Sequence, residues 1–190
     1  MSAAAFAVST GVVAASEIGD KTQLLALLLA ARFRKPGPIV AGILIATLAN
    51  HAAASALGAW VQRAVSPELL RWALGLSFFA VAAWTLKPDE APDDTATPRA
   101  SAFGVFGITT VAFFLAEMGD KTQIATVMLA AKYASVWWVT AGTTLGMLLA
   151  NVPVVLLGDK LLHLVPLQWV RRIAAALFAL LGVLVLAAGG

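Results

Sequence analysis

Two acidic heptads, Glu17–Gln23 and Glu117–Gln123, each lie inside an apolar run long enough to cross a bilayer. The first reads Glu-Ile-Gly-Asp-Lys-Thr-Gln and the second Glu-Met-Gly-Asp-Lys-Thr-Gln, exactly 100 positions later. A spanning helix needs roughly 20 predominantly apolar residues, so the surrounding segments qualify by length. A charge at the bilayer centre costs at least about 2.5–3.5 kcal/mol on insertion scales. Four carboxylates and two ammoniums, left unpaired and simply added, would cost at least about 15 kcal/mol. A chain that places such groups there twice must compensate them inside the fold.

The rest of the sequence agrees with a membrane setting. Hydrophobic residues make up 61% of the 190, charged residues 12%, and mean hydropathy is +0.88. A soluble domain carries about 25% charged residues. Six spans are expected, at about 3–31, 38–62, 68–86, 102–132, 136–160 and 166–188. The fold class is therefore all-α and polytopic. A signal peptide fits the N-terminus poorly, because no basic residue precedes the apolar run and acidic residues follow it. The absence of cysteine excludes disulfides, thiolate metal sites and cysteine nucleophiles. The net charge of +3 reads as loop charge on a membrane protein rather than a nucleic-acid surface.

The Pro- and acid-rich stretch at 87–100 is expected to be a flexible loop. It divides the chain into a first three-helix repeat, 1–86, and a second, 101–190. Other matches keep the offset of 100: Ser9-Thr10 with Thr109-Thr110, and LAAR at 29–32 with LAAK at 129–132. Three crossings per half make the second half enter from the opposite side. The halves are then inverted repeats about an axis in the membrane plane, which would bring the heptads together near the midplane. Eight basic residues fall on the side of the 87–100 loop, against three (Arg63, Arg71 and Lys132) on the other. That bias puts the loop in the cytoplasm and both termini outside.

On a continuous helix, with about 100° per residue, Glu17, Asp20, Lys21 and Gln23 share one arc with Ser9, Thr10 and Ser16, while Thr22 points away. The same holds for Thr110, Glu117, Asp120, Lys121 and Gln123. Glu17 and Lys21 are spaced i, i+4 in the favourable order, as are Glu117 and Lys121. Asp20 and Asp120 then carry a surplus of two negative charges. One divalent cation would neutralise it. Two protons would do the same, since burial favours the neutral carboxyl group.

Carboxylates and the Gln23 and Gln123 amides are hard oxygen donors, suited to Ca²⁺, Mg²⁺ or Mn²⁺. Gly19 and Gly119 weaken the helix locally, so freed carbonyls could join them. Asn50 and Asn151 are either further ligands or interhelical hydrogen-bonding residues. His51 has no counterpart in the second half and reads as a packing or pore-wall residue. His163, Asp159 and Lys160 read as interfacial. The six tryptophans fall mostly near span ends, as in aromatic belts. The bland alternative for the heptads is a pair of buried ion pairs that only fix helix packing.

The doubled E-x-G-D-K-T motif, one on the first span of each half with an acidic loop between, resembles a family of cation/proton antiporters. That family includes the Golgi manganese/calcium transporter, the chloroplast manganese transporter and bacterial MneA-type manganese exporters. The resemblance covers essentially the whole chain. It implies exchange of Mn²⁺ or Ca²⁺ for protons, with Glu17, Asp20, Glu117 and Asp120 as ion-handling residues. Lys21, Thr22, Gln23, Lys121, Thr122 and Gln123 carry over from the same motif. The expected partners are divalent metal ions, protons and the lipid bilayer, with no resident cofactor, no enzymatic activity and no nucleic acid. An exporter of another substrate, such as a basic amino acid, and a non-transporting membrane scaffold remain the competing readings.

Overall fold

The computed structural model of the chain describes residues 2–87, 101–158 and 167–187. The expected 87–100 loop beyond Lys87, and the interfacial Asp159, Lys160 and His163, lie outside the described residues.

The described residues form eight α-helices and no strand. The first half comprises α1 (Ser2–Glu17), α2 (Lys21–Phe33), α3 (Pro36–Ala64) and α4 (Pro67–Thr85). The second comprises α5 (Ala102–Glu117), α6 (Lys121–Tyr133), α7 (Val136–Leu157) and α8 (Leu167–Ala187). Prolines at the starts of α3 and α4 suit positions where the first N–H groups have no intrahelical partner.

Three helices are long and apolar enough to cross a membrane: α3, α7 and, within α8, Gln168–Ala187. The expected spans 3–31 and 102–132 are each two helices, bent by 68° between α1 and α2 and by 71° between α5 and α6. Counting each bent pair as one span gives up to five. The segment expected at 68–86 forms α4, which is 19 residues long and carries Glu68 and Arg71 near its start. It is not among the five.

Helix contacts recur between the halves. α1 packs on α7 as α5 packs on α3, and α2 meets α7 as α6 meets α3. The pairs α3·α7 and α4·α8 join like elements. In the latter, Phe78 and Phe178 stack with ring centroids 6.5 Å apart. The α3·α5 and α1·α7 crossings depend on matching glycines. A Cβ on Gly42 would lie 2.7 Å from Thr109 Cβ, and one on Gly142 would lie 2.6 Å from the Phe6 carbonyl. Small residues let helix backbones approach this closely, as they do at interfaces within membranes.

Two apolar clusters flank the centre. One gathers Phe78, Met128, Leu129, Phe178 and Leu181, and the other Val13, Ile39, Ile43, Phe113 and Met147. Outward-facing leucines such as Leu57, Leu76, Leu115 and Leu149 are exposed. Trp60, Trp72, Trp84, Trp137, Trp138 and Trp169 are exposed close to helix ends. A polar centre inside an apolar shell with an apolar exterior is the arrangement lipid demands.

Candidate metal centre

The heptads do not continue a helix; they break one. Glu17 and Glu117 are the last residues of α1 and α5. Gly19 and Gly119 follow at φ 81° and 74°, a left-handed conformation that glycine adopts without strain. Asp20 and Asp120 then cap α2 and α6. The Asp20 carboxylate accepts from Lys21 N–H at 2.7 Å, and Asp120 accepts from Thr122 N–H at 3.5 Å. Gln23 and Gln123 reach back, each accepting a hydrogen bond from the glycine N–H of its own heptad at 2.7 Å. This closely relates to a capping box, with Asp at the cap and Gln three residues on.

Gly119→Ala isolates the cost of that turn, because a Cβ there would meet nothing within 4 Å. Only the backbone would be strained, by about 1–2 kcal/mol. The expected result is a modestly lowered melting temperature in detergent. A wild-type melting curve would mean the break does not need glycine.

The break redirects the side chains. The continuous helix that would carry Glu17–Lys21 and Glu117–Lys121 as i, i+4 pairs is broken between them. The lysines cross between heptads instead. Lys21 Nζ lies 2.8 Å from Asp120 Oδ1, and Lys121 Nζ lies 2.9 Å from Asp20 Oδ1. The surplus of two negative charges therefore falls on Glu17 and Glu117, not on the aspartates. Thr22, expected to point away, donates to Glu17 Oε2 at 2.5 Å. Thr122 donates to the other oxygen of Glu17, so both threonines serve one carboxylate.

Glu17, Asp20 and Asp120 come together. One carboxylate oxygen from each lies within 4.8 Å of the other two, and all three residues are buried. With metal–oxygen bonds of about 2.3–2.6 Å, three oxygens so spaced can surround one ion. Glu117 stands apart from this triad. It is fully buried, and neither of its oxygens makes a hydrogen bond among the described residues. His51 Nε2, also fully buried, faces it at 3.9 Å.

The amides are otherwise engaged. The side-chain oxygens of Gln23 and Gln123 hold the glycine turns. Gln23 Nε2 donates to the Ala150 carbonyl at 2.9 Å, and Gln123 Nε2 donates to Asn50 Oδ1. Asn50 also donates to the Phe114 carbonyl at 3.4 Å, so it links α3 to α5 and α6. Asn151 bonds within its own helix, to the Met147 carbonyl at 3.0 Å. Thr10, Thr110 and Ser16, placed on the polar arc by helical spacing, likewise bond to carbonyls of their own helices.

Two features escaped the spacing argument. The helix break was legible in Gly-Asp-x-x-Gln, a stop residue followed by a cap and its N3 partner. The contact of Thr122 with Glu17 had no local signal, since it joins residues 105 apart.

The family model for the "Divalent cation/proton antiporter GDT1" matches residues 5–93 and 105–190. The chain belongs to the GDT1 family. A protein of Vibrio cholerae described as "Putative manganese exporter" is 53% identical over 176 residues, covering 92% of this chain and 86% of that one. The "GDT1-like protein sll0615" of Synechocystis is 29% identical over 201 residues, covering 94% and 95%. No solved structure matches the chain. Both matched segments of the GDT1 model contain a heptad, so the broken helices lie within what the family shares. With its apolar, span-length helices, this GDT1 member is a multi-pass membrane protein of a cation-transporting family.

Proposed function

We propose that the chain is a secondary active transporter that exports divalent cations, manganese first and calcium as the second candidate, in exchange for protons. The observation that carries this reading is the buried triad of Glu17, Asp20 and Asp120, in which two carboxylates are held by lysines from opposite heptads. Each ammonium is a tethered cation. A divalent ion reaching the triad takes the place of charge that the protein otherwise supplies itself. Four carboxylates and two lysines leave two negative charges, which one M²⁺ or two H⁺ balance equally. The same site cannot hold both, and mutually exclusive occupancy is what an exchanger requires.

Glu17, Asp20, Glu117 and Asp120 serve as proton acceptors and, with oxygen ligands only, favour Mn²⁺, Ca²⁺ or Mg²⁺. The ion meets the C-terminal end of α1, whose carbonyls and negative helix pole favour a cation. The recurrent packing of α1·α7 with α3·α5, and the crossed lysines, support six crossings arranged as two inverted three-helix repeats with the heptads at their shared axis. In that arrangement the 87–100 loop is cytoplasmic, both termini lie outside, and the membrane is the inner membrane of a bacterium. The 53% identity to the Vibrio cholerae protein supports manganese as cargo.

The test is Mn²⁺ flux in proteoliposomes under imposed pH gradients. Acid on the side opposite the metal should accelerate Mn²⁺ movement, and a protonophore should abolish the acceleration. Flux that follows only the Mn²⁺ gradient, with no counterflow of protons, would reduce the protein to a uniporter and overturn the exchange.

A further inference from the structure

His51 is a fully buried imidazole on α3, and neither ring nitrogen makes a hydrogen bond among the described residues. Glu117, at the end of α5, is a fully buried carboxylate in the same condition. Buried polar groups in native proteins are nearly always hydrogen-bonded, so two bare ones facing each other call for a reason. A direct bond is not the reason, because their 3.9 Å separation exceeds the roughly 3.2 Å limit of a good hydrogen bond.

That spacing suits a shared cation. A metal–nitrogen and a metal–oxygen bond of about 2.1 Å each reach about 4.2 Å end to end, so an N–metal–O bridge bent to roughly 140° spans it. Thr47 and Ser55 lie one turn to either side of His51 on α3. Their hydroxyls are also buried and make no hydrogen bond among the described residues. They line the same face with further oxygen donors.

We propose that His51 and Glu117 form a second cation position beside the carboxylate triad, one that binds a first-row transition dication through an imidazole nitrogen and sets the preference for Mn²⁺ over Ca²⁺. It rests on the transport reading above and adds to it the source of selectivity. The triad offers only oxygen, which Ca²⁺ and Mg²⁺ accept as readily as Mn²⁺. An imidazole nitrogen adds affinity for a transition metal and little for the hard alkaline-earth ions. The position is held differently in the two halves: at the offset of 100 that Gly42 and Gly142 keep, the imidazole of His51 is matched by the amide of Asn151. A residue needed only to frame two similar halves would be expected in both.

The full-length protein, labelled with ¹⁵N-histidine and loaded with Mn²⁺, should show ¹⁵N coupling to the metal in pulsed electron paramagnetic resonance. The chain has two histidines, so the source is readily assigned. The coupling should vanish in His51→Gln and persist in His163→Gln. Titrations should show His51→Gln losing about 10–100-fold in Mn²⁺ affinity, the scale on which metal sites respond to a lost supporting group. Ca²⁺ affinity should change little. Mn²⁺ that binds the wild type with no histidine coupling would overturn this assignment and leave the transport reading standing. An unchanged Mn²⁺-to-Ca²⁺ preference in His51→Gln would do the same. Failure of the wild type to bind Mn²⁺ at all would overturn both. The labelled wild-type measurement needs no variant to fold.

Discussion

Glu17→Gln is expected to bring Mn²⁺ transport down to the level of protein-free vesicles while leaving a folded, inserted protein. Glu17 is the member of the triad without a lysine. Its two oxygens instead accept hydroxyl hydrogen bonds from Thr22 and Thr122, one from each heptad. A glutamine of the same length keeps one acceptor and gains a donor. The threonine hydroxyls can rotate to accept from it, so the network persists in a weaker form. Hydrogen bonds to charged groups are worth about 1.5–3 kcal/mol, against about 0.5–1.5 for neutral ones, so the structural loss is modest. The functional loss is not modest. The substitution removes one negative charge and one titratable oxygen pair from the place where three carboxylates converge. Radiolabelled Mn²⁺ uptake, paired with a melting curve in detergent, separates the two effects. Wild-type uptake in Glu17→Gln would mean that the ion is held elsewhere.

Asp20→Asn should behave differently, damaging stability as well as transport. Asp20 faces Lys121, whose side chain is 3% exposed. Taking one partner from a buried ion pair typically costs about 3–5 kcal/mol, because the other charge is left in a medium that solvates it poorly. A second change, Lys121→Met, removes that charge and should recover most of the lost stability while transport stays absent. Rescue of the fold without rescue of flux would distinguish a ligand from a packing residue. The mirror pair predicts a smaller penalty, since Lys21 is 28% exposed and can turn toward water when Asp120 becomes asparagine. Equal stability of Asp20→Asn and wild type would show that the Lys121–Asp20 contact contributes nothing to the fold. Rescue of transport by Lys121→Met would show that the Asp20 carboxylate is dispensable to the ion.

The crossed pairs also explain why side-chain spacing misled. An i, i+4 argument holds only where one helix carries both residues. Gly19 and Gly119 end the helix inside the heptad, and from there each lysine follows a new axis. Thr22 changes sides for the same reason. The glutamines, read as ligands by donor type, have their amide oxygens on the turns that make the break possible.

The sequence by itself determined the helical, lipid-facing character of the chain, because apolar runs of this length admit little else. Its doubled heptad also determined the family and marked which ionisable residues lie in the apolar interior, since such residues are too costly there to be incidental. Tertiary structure alone decided which of them meet. Local spacing fixes neighbours along one helix, but the triad joins Glu17 and Asp20 to Asp120, and the lysine contacts join residues about 100 positions apart. Such contacts depend on how α1, α2, α5 and α6 approach one another. The packing of α3 and α7 against them sets that approach, and no short stretch of sequence encodes it. The same holds for Glu117. Its heptad nearly repeats that of Glu17, yet it faces His51 rather than the threonines; α3 places an imidazole where α7 places Asn151.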